Sequence, residues 1–257
     1  MDDLKLDHII HYVQNLNDFN YPGHLFKLYQ GGQHEKLGTY NRLAFIDNTY
    51  LELLDVHKPQ LLKKVVKTEE GRVTFPSKIV QDNFRQGIKN IAFRTQDIDQ
   101  VKQSLELRNV DVIGPVKMQR ENRRGKRLTW RVLYIADPDY RVKPPFFIQW
   151  DDADGVRAKK IDPYAQNEFK VHGIKINSTE RKHTVAKWKN WFDMEVVDET
   201  DHYTTMKLKH DDILYHIYDG DFSGYKTILL KDKKTTSSYT LIIRGATYQF
   251  TADSEKE

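Results

Sequence analysis

The sequence predicts a mixed α/β fold in which one unit, a strand followed by a helix and further strands, recurs along the chain. Two stretches begin and end alike, the first running from residues 6–10 to 50–54 and the second from 88–92 to 147–150. The apolar periodicity between these ends alternates between strand-like and helix-like spacing. A third stretch with the same order of elements begins near residue 169. Self-similarity of this kind indicates repeated structural units.

Composition limits the classes of protein that the chain can represent. Of the 257 residues, 39% are hydrophobic, 12% are aromatic and 30% are charged, with a net charge of +4. This balance predicts a folded protein with a core and a solvated surface, and the charge is too small to indicate a nucleic-acid partner. No apolar run approaches the roughly 20 residues that cross a bilayer. The N-terminus lacks the features of a signal peptide, so we expect a cytoplasmic protein without a membrane segment.

The absence of cysteine restricts the chemistry that the chain can perform. It excludes disulfides, thiol nucleophiles and thiolate metal sites. A metal ion would therefore have to be bound by His, Asp, Glu, backbone carbonyl groups or water. No glycine-rich phosphate loop and no serine in a nucleophile elbow is present.

The first unit, over residues 5–56, reads as strand, helix, strand, strand. Val and Ile enrichment predicts a strand over 5–13, and Gly31-Gly32 indicates a chain break. The tight-turn pair Asp47-Asn48 separates the last two strands. The other predicted elements are a short helix over about 22–29, strands over 39–46 and 49–56, and a connector with a helix over 57–86.

The second unit repeats this order. A strand over 89–95 precedes Asp97, which has the position of a helix N-cap. Ile98, Val101 and Leu105 follow at spacings of three and four, which is typical of one buried helix face. Strands are predicted over about 114–120, 127–136 and 144–150.

A polar stretch at 151–155 predicts a boundary, so we expect one domain over 1–155 and a third module over 165–250, followed by a polar tail at 251–257. The third module begins with a strand over 171–177. Ser178-Thr179 is predicted to cap a helix whose Trp188, Trp191 and Phe192 pack on the sheet. Further strands are predicted over 204–209, 212–218, 225–231 and 237–250.

Several short motifs stand out in the first 150 residues. They are Leu6-Asp7-His8, Gly31-Gly32-Gln33-His34, Gly38-Thr39-Tyr40-Asn41-Arg42-Leu43, Tyr50-Leu51-Glu52-Leu53, Gly125 with Trp130, and Pro145-Phe146-Phe147-Ile148-Gln149-Trp150. Together these motifs resemble the glyoxalase-like branch of the vicinal oxygen chelate superfamily, which includes glyoxalases, bleomycin-resistance proteins and dihydroxybiphenyl-type dioxygenases. The resemblance implies that paired βαβββ modules form a cleft for a small molecule. The third module then lacks a partner in the chain, so it would cover the first pair or form a homodimer with a second copy.

His8 and Glu52 are the candidate metal ligands. Strand alternation places His8 with Leu6, Ile10 and Tyr12, and Glu52 with Tyr50 and Leu54. The resemblance implies that such a pair binds one divalent ion (Zn, Ni, Mn or Fe) that chelates two substrate oxygens, and Glu52 could instead be a catalytic base. An alternative is that His8 is a hydrogen-bonded strand residue and Glu52 pairs with a base such as Arg42.

The second module departs from the metal-binding pattern. In the alignment of the two stretches, His8 corresponds to Asn90 and Glu52 to Gln149. Amide oxygens are poor ligands for borderline metals, so a metal site would need a further donor such as His34, Asp55 or water.

The remaining candidates are substrate-binding residues. His34 and Asn41 flank a turn at the predicted rim, and Asn90, Trp130, Gln149 and Trp150 would shape the pocket; each could instead be a turn or core residue. A basic hairpin would suit an anionic substrate, such as a carboxylate or phosphate, or could simply be solvated. Its residues are Arg120, Arg123, Arg124, Lys126, Arg127 and Arg131, of which Arg131 and Arg127 are the preferred candidates.

Two functions remain open at this stage. One is a metal-dependent lyase, isomerase or dioxygenase-like enzyme acting on an oxygenated small molecule. The other is a metal-free protein that binds or sequesters a small molecule. The amides at Asn90 and Gln149 favour the second, and the presence of both His8 and Glu52 favours the first.

Overall fold

The computed structural model describes residues 3–121 and 127–253, which form fifteen strands and six α-helices. The first half contains β1 (Lys5–Tyr12), β2 (Tyr29–His34), β3 (Thr39–Ile46), β4 (Thr49–Val56), α1 (Pro59–Val65), α2 (Glu69–Val73), α3 (Ser77–Gln81), β5 (Gly87–Arg94), α4 (Ile98–Glu106), β6 (Val112–Glu121), β7 (Arg127–Ile135) and β8 (Phe146–Trp150). The second half contains α5 (Asp154–Ile161), β9 (Phe169–Ser178), α6 (Arg181–Phe192), β10 (Glu195–Glu199), β11 (Tyr203–Lys207), β12 (Leu214–Asp219), β13 (Gly224–Asp232), β14 (Tyr239–Ile243) and β15 (Ala246–Ala252).

The first sheet consists of two modules related by a local twofold axis. Its strand order is β2-β3-β4-β1-β5-β8-β7-β6. β1 pairs antiparallel with β5, with Ile9 opposite Ile91, and each of these two strands also has a parallel neighbour, β4 or β8. The predicted mixed fold with paired βαβββ modules is therefore confirmed, and β3 and β4 have the predicted bounds.

Two elements of the first module differ from the prediction. The helix expected over 22–29 is a single 3-10 turn, Pro22–His24, because Gly23 adopts a left-handed conformation with φ of 61°. The Gly31-Gly32 pair lies inside a strand, β2, instead of ending one. The pairing of β2 with β3 is irregular between Gln30 and Gln33, and a Cβ at Gly31 would overlap the side chain of Asn41. Glycine is thus required here by close contact within the sheet.

The connector over 57–86 folds into α1, α2 and α3, which cover part of the concave face of the first sheet. Val73, Phe75 and Ile79 from this segment pack with Ile10 of β1 and Leu54 of β4 in one buried apolar cluster. We call residues 57–86 the cap. It closes one side of the cleft between the two modules.

The second sheet has the order β10-β11-β12-β9-β13-β15-β14. β9 pairs parallel with β12 and antiparallel with β13, as β1 does with β4 and β5. The prediction that the third module lacks a partner in the chain is therefore wrong: β13, β14 and β15 are a shortened fourth module, without a helix or an outermost strand. Its strands were part of the predicted third module, and their pairing could not be read from the strand order alone. This arrangement needs no second copy, and a homodimer stays a prediction.

The convex face of the first sheet packs against the second sheet and α6. The ring of Phe93 lies 5.1 Å from Phe192 and 5.7 Å from Tyr215, centroid to centroid. His11 is buried in the same layer, where its Nδ1 lies 2.7 Å from the hydroxyl of Tyr248. The concave face of the first sheet therefore points away from the second sheet. Over residues 3–121 and 127–253, every helix is too short or too polar to cross a membrane.

Candidate functional site

A cavity lies on the concave face of the first sheet, under the cap. About 40 Å³ of this cavity is free space that a water molecule could occupy. Apolar and aromatic side chains form most of its wall, and the polar lining residues are few. Aromatic residues at the wall are Tyr50, Phe75, Trp130, Tyr134, Phe146 and Trp150; the ionisable or amide side chains are His8, His34, Asn41, Glu52 and Arg120. A concave, mostly apolar site with a small set of polar groups is typical of small-molecule binding.

An irregularity in β1 determines which residues reach the cavity. Leu6 lies opposite Phe93 and His8 opposite Ala92, so Asp7 is an additional residue in β1. Such a β-bulge changes the direction of the side chains on its two sides. As a result His8 lines the cavity while Leu6 packs in the core between the two sheets, and the prediction that the two share a face is wrong. Glu52 lines the cavity with Tyr50, as predicted.

The polar groups at the base of the cavity form one hydrogen-bonded chain. Nδ1 of His8 lies 2.8 Å from Oδ2 of Asp7, and Nε2 of His8 lies 3.2 Å from Oε2 of Glu52. The other Glu52 oxygen accepts a hydrogen bond of 2.6 Å from Nδ2 of Asn41. Asp7 also lies 3.4 Å from the guanidinium of Arg157. Each ionised group at the base therefore already has an oppositely charged partner.

This pairing fixes the charges in the chain. Burial by itself lowers the pKa of His8, but its hydrogen bonds to Asp7 and Glu52 outweigh burial and raise it, which favours the imidazolium form. Burial raises the pKa of Glu52, but the hydrogen bond and charge of His8 outweigh it and lower this pKa to about 2. Burial likewise opposes ionisation of Asp7, and the charge of Arg157 with the His8 hydrogen bond keeps its pKa well below the usual range.

The sequence model of a glyoxalase-like domain matches residues 6–192. The chain belongs to the glyoxalase-like domain family. A hypothetical protein from Staphylococcus aureus is 46% identical in sequence, and its crystal structure superposes with a TM-score of 0.95 over 97% of this chain and 99% of that one. No curated protein matches the chain.

More distant structures share the fold. A 4-hydroxymandelate synthase variant from Streptomyces coelicolor is 11% identical, with a TM-score of 0.53 over 91% of this chain and 72% of that one. A fusion of a xylose isomerase-like TIM barrel with a 4-hydroxyphenylpyruvate dioxygenase is 10% identical, with a TM-score of 0.56 over 90% of this chain and 36% of that one. These neighbours share the fold of the glyoxalase-like chain.

The strand registers define which residues of the second glyoxalase-like module correspond to His8 and Glu52. His8 lies opposite Ala92 and Ile10 opposite Asn90, so the twofold axis relates His8 to Asn90, as predicted. Ile10 pairs with Glu52, and its equivalent Ala92 pairs with Phe146. Phe146, and not Gln149, therefore corresponds to Glu52, and this part of the sequence alignment is wrong.

Neither second-module position offers a metal ligand. Asn90 is fully buried; its Oδ1 accepts a hydrogen bond from the backbone N–H of Ile91, and its Nδ2 has no partner among the described residues. The ring of Phe146 lies 5.6 Å from that of His8. Gln149 lies on the other face, where its oxygen accepts the backbone N–H of Ile98 at the start of α4.

The side chains present do not fit a resident divalent ion. His8 and Glu52 converge, and Asp7 orients His8 as a carboxylate often does for a metal ligand. The described residues nevertheless contain no group of three His, Asp or Glu side chains that could surround an ion. A metal ion would have to displace the proton of His8 and break its contact with Glu52, and a site with two protein ligands is weak. A metal ion at this place would thus have only two protein ligands, His8 and Glu52.

The other predicted residues divide between the two faces of the sheet. His34, Asn41, Trp130 and Trp150 line the cavity. Arg131 lies on the opposite face, paired with Asp99 at 2.7 Å and hydrogen-bonded to Gln149. Arg123, Arg124 and Lys126 lie outside the described residues, as does the side chain of Arg127.

Arg120 is the basic residue that the sequence analysis ranked too low. In the β6–β7 hairpin Arg120 lies opposite Leu128, and Met118 lies opposite Trp130. These four side chains therefore lie on one face, the face that lines the cavity. Arg131 alternates to the other face. The signal was present in the sequence: Arg131 directly follows Trp130, so only one of these two side chains can reach a common pocket.

Proposed function

We propose that the cavity binds an anionic small molecule with a flat, apolar body, and that it does so without a resident metal ion. The observation that carries this proposal is that Arg120 lines the cavity without a carboxylate partner. Arg120 is half-buried and lines the cavity, and no carboxylate among the described residues lies within salt-bridge distance of it. A guanidinium in such a position is well suited to a carboxylate or phosphate group on a ligand.

The charges at the base of the cavity support this choice of ligand. Asp7 and Glu52 each contribute one negative charge, and Arg157 and the protonated form of His8, which its two carboxylate partners favour, balance these charges. The charge of Arg120 is therefore not neutralised by the other ionised lining groups. An anionic ligand would neutralise it, because opposite charges attract strongly where water is partly excluded.

The wall of the cavity suits the apolar part of the same ligand. Trp130 and Trp150 lie with ring centroids 5.4 Å apart, and Phe75 of the cap stacks on Phe146 at 5.6 Å. Rigid aromatic side chains offer large apolar contact areas at a low entropic cost. These two ring pairs favour a flat organic molecule over a small inorganic ion.

Of the two functions that the sequence left open, the geometry favours metal-free binding. The base of the cavity satisfies its own hydrogen bonds through Asp7, His8, Glu52 and Asn41, and a metal ion would have to break the contact between His8 and Glu52. A metal-dependent lyase, isomerase or dioxygenase would need further ligands from the substrate or solvent.

The proposal is tested by titrating the intrinsic tryptophan fluorescence with phenylacetate, using the neutral isostere phenylacetamide as the matched control ligand. We expect saturable binding of phenylacetate, unchanged by a chelator. Arg120→Gln should weaken it about tenfold, the typical effect of losing one charge-assisted hydrogen bond. Arg131→Gln, on the opposite face, should leave it unchanged. Equal affinity for acid and amide, or equal effects of the two substitutions, would refute the proposal.

A further inference from the structure

The second sheet repeats the strand arrangement of the first. It has a basic surface at the place that corresponds to the cavity of the first sheet. Gly173 lies opposite Leu229 and Val171 opposite Leu230, so His172 is an additional residue in β9. The same bulge occurs at Asp7 in β1. Superposing the two registers puts His172 at the position of Asp7 and Gly173 at that of His8.

The residues at these positions are basic or polar in the second sheet, whereas their equivalents in the first sheet are acidic or apolar. Lys175 takes the position of Ile10, and His216, its partner in β12, takes that of Glu52. Gln249, opposite Leu229 in the register, takes the position of Phe146. Glu52 and its acidic neighbour Asp7 are thus replaced by two imidazoles beside a lysine. We call His172, Lys175, His216 and Lys231 the basic cluster.

The hydrogen bonds of the cluster leave donors unused. Nζ of Lys175 donates to Oε1 of Gln249 at 3.0 Å, and no carboxylate of the described residues lies within salt-bridge distance of it. Nδ1 of His216 is 2.9 Å from the hydroxyl of Thr205. Nε2 of His172 is buried without a hydrogen-bond partner among the described residues. A buried polar atom of this kind is unfavourable unless a ligand or water pairs with it.

The surroundings give the cluster a positive potential. Burial, followed by the charges of Lys231, His216 and Lys170, lowers the pKa of His172. Burial and the charge of Lys175 lower the pKa of His216. Two acidic groups lie nearby. Asp253 is 3.4 Å from Lys231, and the charge of Asp198 partly offsets the lowering of the His216 pKa. Neither carboxylate pairs with Lys175.

The face also lacks the cap that covers the first sheet. Thirty residues, 57–86, join β4 to β5, whereas only residues 220–223 join β12 to β13. His172, Lys175 and His216 are each half-buried. A ligand can therefore reach the exposed parts of these three side chains from solvent, although Nε2 of His172 itself is buried.

We propose that the basic cluster is a second binding site, for a tetrahedral oxyanion such as a sulfate or phosphate group. Lys175 supplies the charge, and the imidazoles of His172 and His216 supply hydrogen-bond donors of the kind that bind such anions. Gly173 keeps the site open, because a Cβ there would lie 3.5 Å from Nε2 of His216 and 3.0 Å from a Leu229 methyl group. This site is independent of the cavity in the first sheet.

The test is a sulfate titration of the whole protein, followed by the imidazole signals of His172 and His216 in NMR spectra, with chloride at matched ionic strength as the control. We expect saturable shifts with sulfate only. Lys175→Gln should weaken sulfate binding about tenfold. Arg120→Gln, in the other sheet, should not alter it. Identical shifts with chloride, or unchanged affinity in Lys175→Gln, would overturn the proposal.

Further titrations identify the source of the anion and test whether it binds at another site. Inorganic phosphate and phenyl phosphate are titrated in the same way. Equal affinities support a free oxyanion as the ligand, and tighter binding of the ester supports an oxyanion group on a larger molecule. Loss of the histidine shifts in Arg120→Gln with their retention in Lys175→Gln would assign anion binding to the first cavity and overturn the second site.

Discussion

Replacing Glu52 by Gln tests the charged chain at the base of the cavity. The substitution keeps the size of the side chain and removes the charge that faces His8 across 3.2 Å. The lowering of the Glu52 pKa from its ordinary 4.5 to about 2 corresponds to a stabilisation of about 3 kcal/mol at neutral pH. A loss of this size would lower the Tm by roughly 6–12 °C in a chain of this length.

The sign of the pH dependence follows from the depressed pKa. A carboxylate whose folded pKa lies below its unfolded value stabilises the protein above the unfolded value, and this stabilisation is lost as pH falls toward the folded one. The difference between wild type and Glu52→Gln should therefore be full at pH 7 and shrink as pH falls from about 4.5 toward 2.

Urea unfolding at several pH values measures this difference. Glu35→Gln is the matched control, because Glu35 pairs with Lys58 at the surface, where the side chains are 64% and 51% exposed. We expect the control to change stability by about 1 kcal/mol or less. A Glu52→Gln variant as stable as the control at pH 7, or a difference that persists unchanged to pH 3, would refute the assignment of an ion pair to His8 and Glu52.

Two further substitutions give independent checks. Lys143 is buried with its Nζ donating to Ser77, and burial followed by the charges of Lys78 and Arg72 lowers its pKa to about 7. Its protonation therefore destabilises the fold below about pH 7, so the stability of wild type relative to Lys143→Met should rise between pH 7 and 10 in urea unfolding; a constant difference would contradict this. In Gly32→Ala, the new Cβ would stand 2.8 Å from Cδ of Arg120 and displace that side chain. Phenylacetate affinity should fall several-fold with little change in Tm, and an unchanged affinity would argue against Arg120 as the anion-binding group.

The parts of the fold that the sequence predicted are those governed by local rules. β3 and β4 have the predicted bounds because apolar alternation is interrupted at Asp47, which adopts a φ of 50° in the turn. In α4 the side chain of Asp97 accepts the backbone N–H of Gln100, as expected of an N-cap. The fourth module was missed because its pairing with β9 is a long-range choice that periodicity does not encode.

The site was predicted less well because one residue reverses the face of a strand. The bulge at Asp7 separates Leu6 from His8, and no rule of alternation anticipates an additional residue. The sequence alignment matched Gln149 to Glu52 by chemical likeness, whereas the register shows that Phe146 occupies that place. A shift of three residues moves a side chain to the opposite face.

The metal content of the protein tests the central claim most directly. Protein purified without a chelating tag would be measured by elemental mass spectrometry, beside a variant that combines His8→Ala and Glu52→Ala. Metal-free binding predicts no stoichiometric divalent ion in the wild type and no change in Tm or phenylacetate affinity when Ni, Mn, Fe or Zn is added. A near-stoichiometric ion that the double variant loses would contradict the account and return His8 and Glu52 to the role of metal ligands.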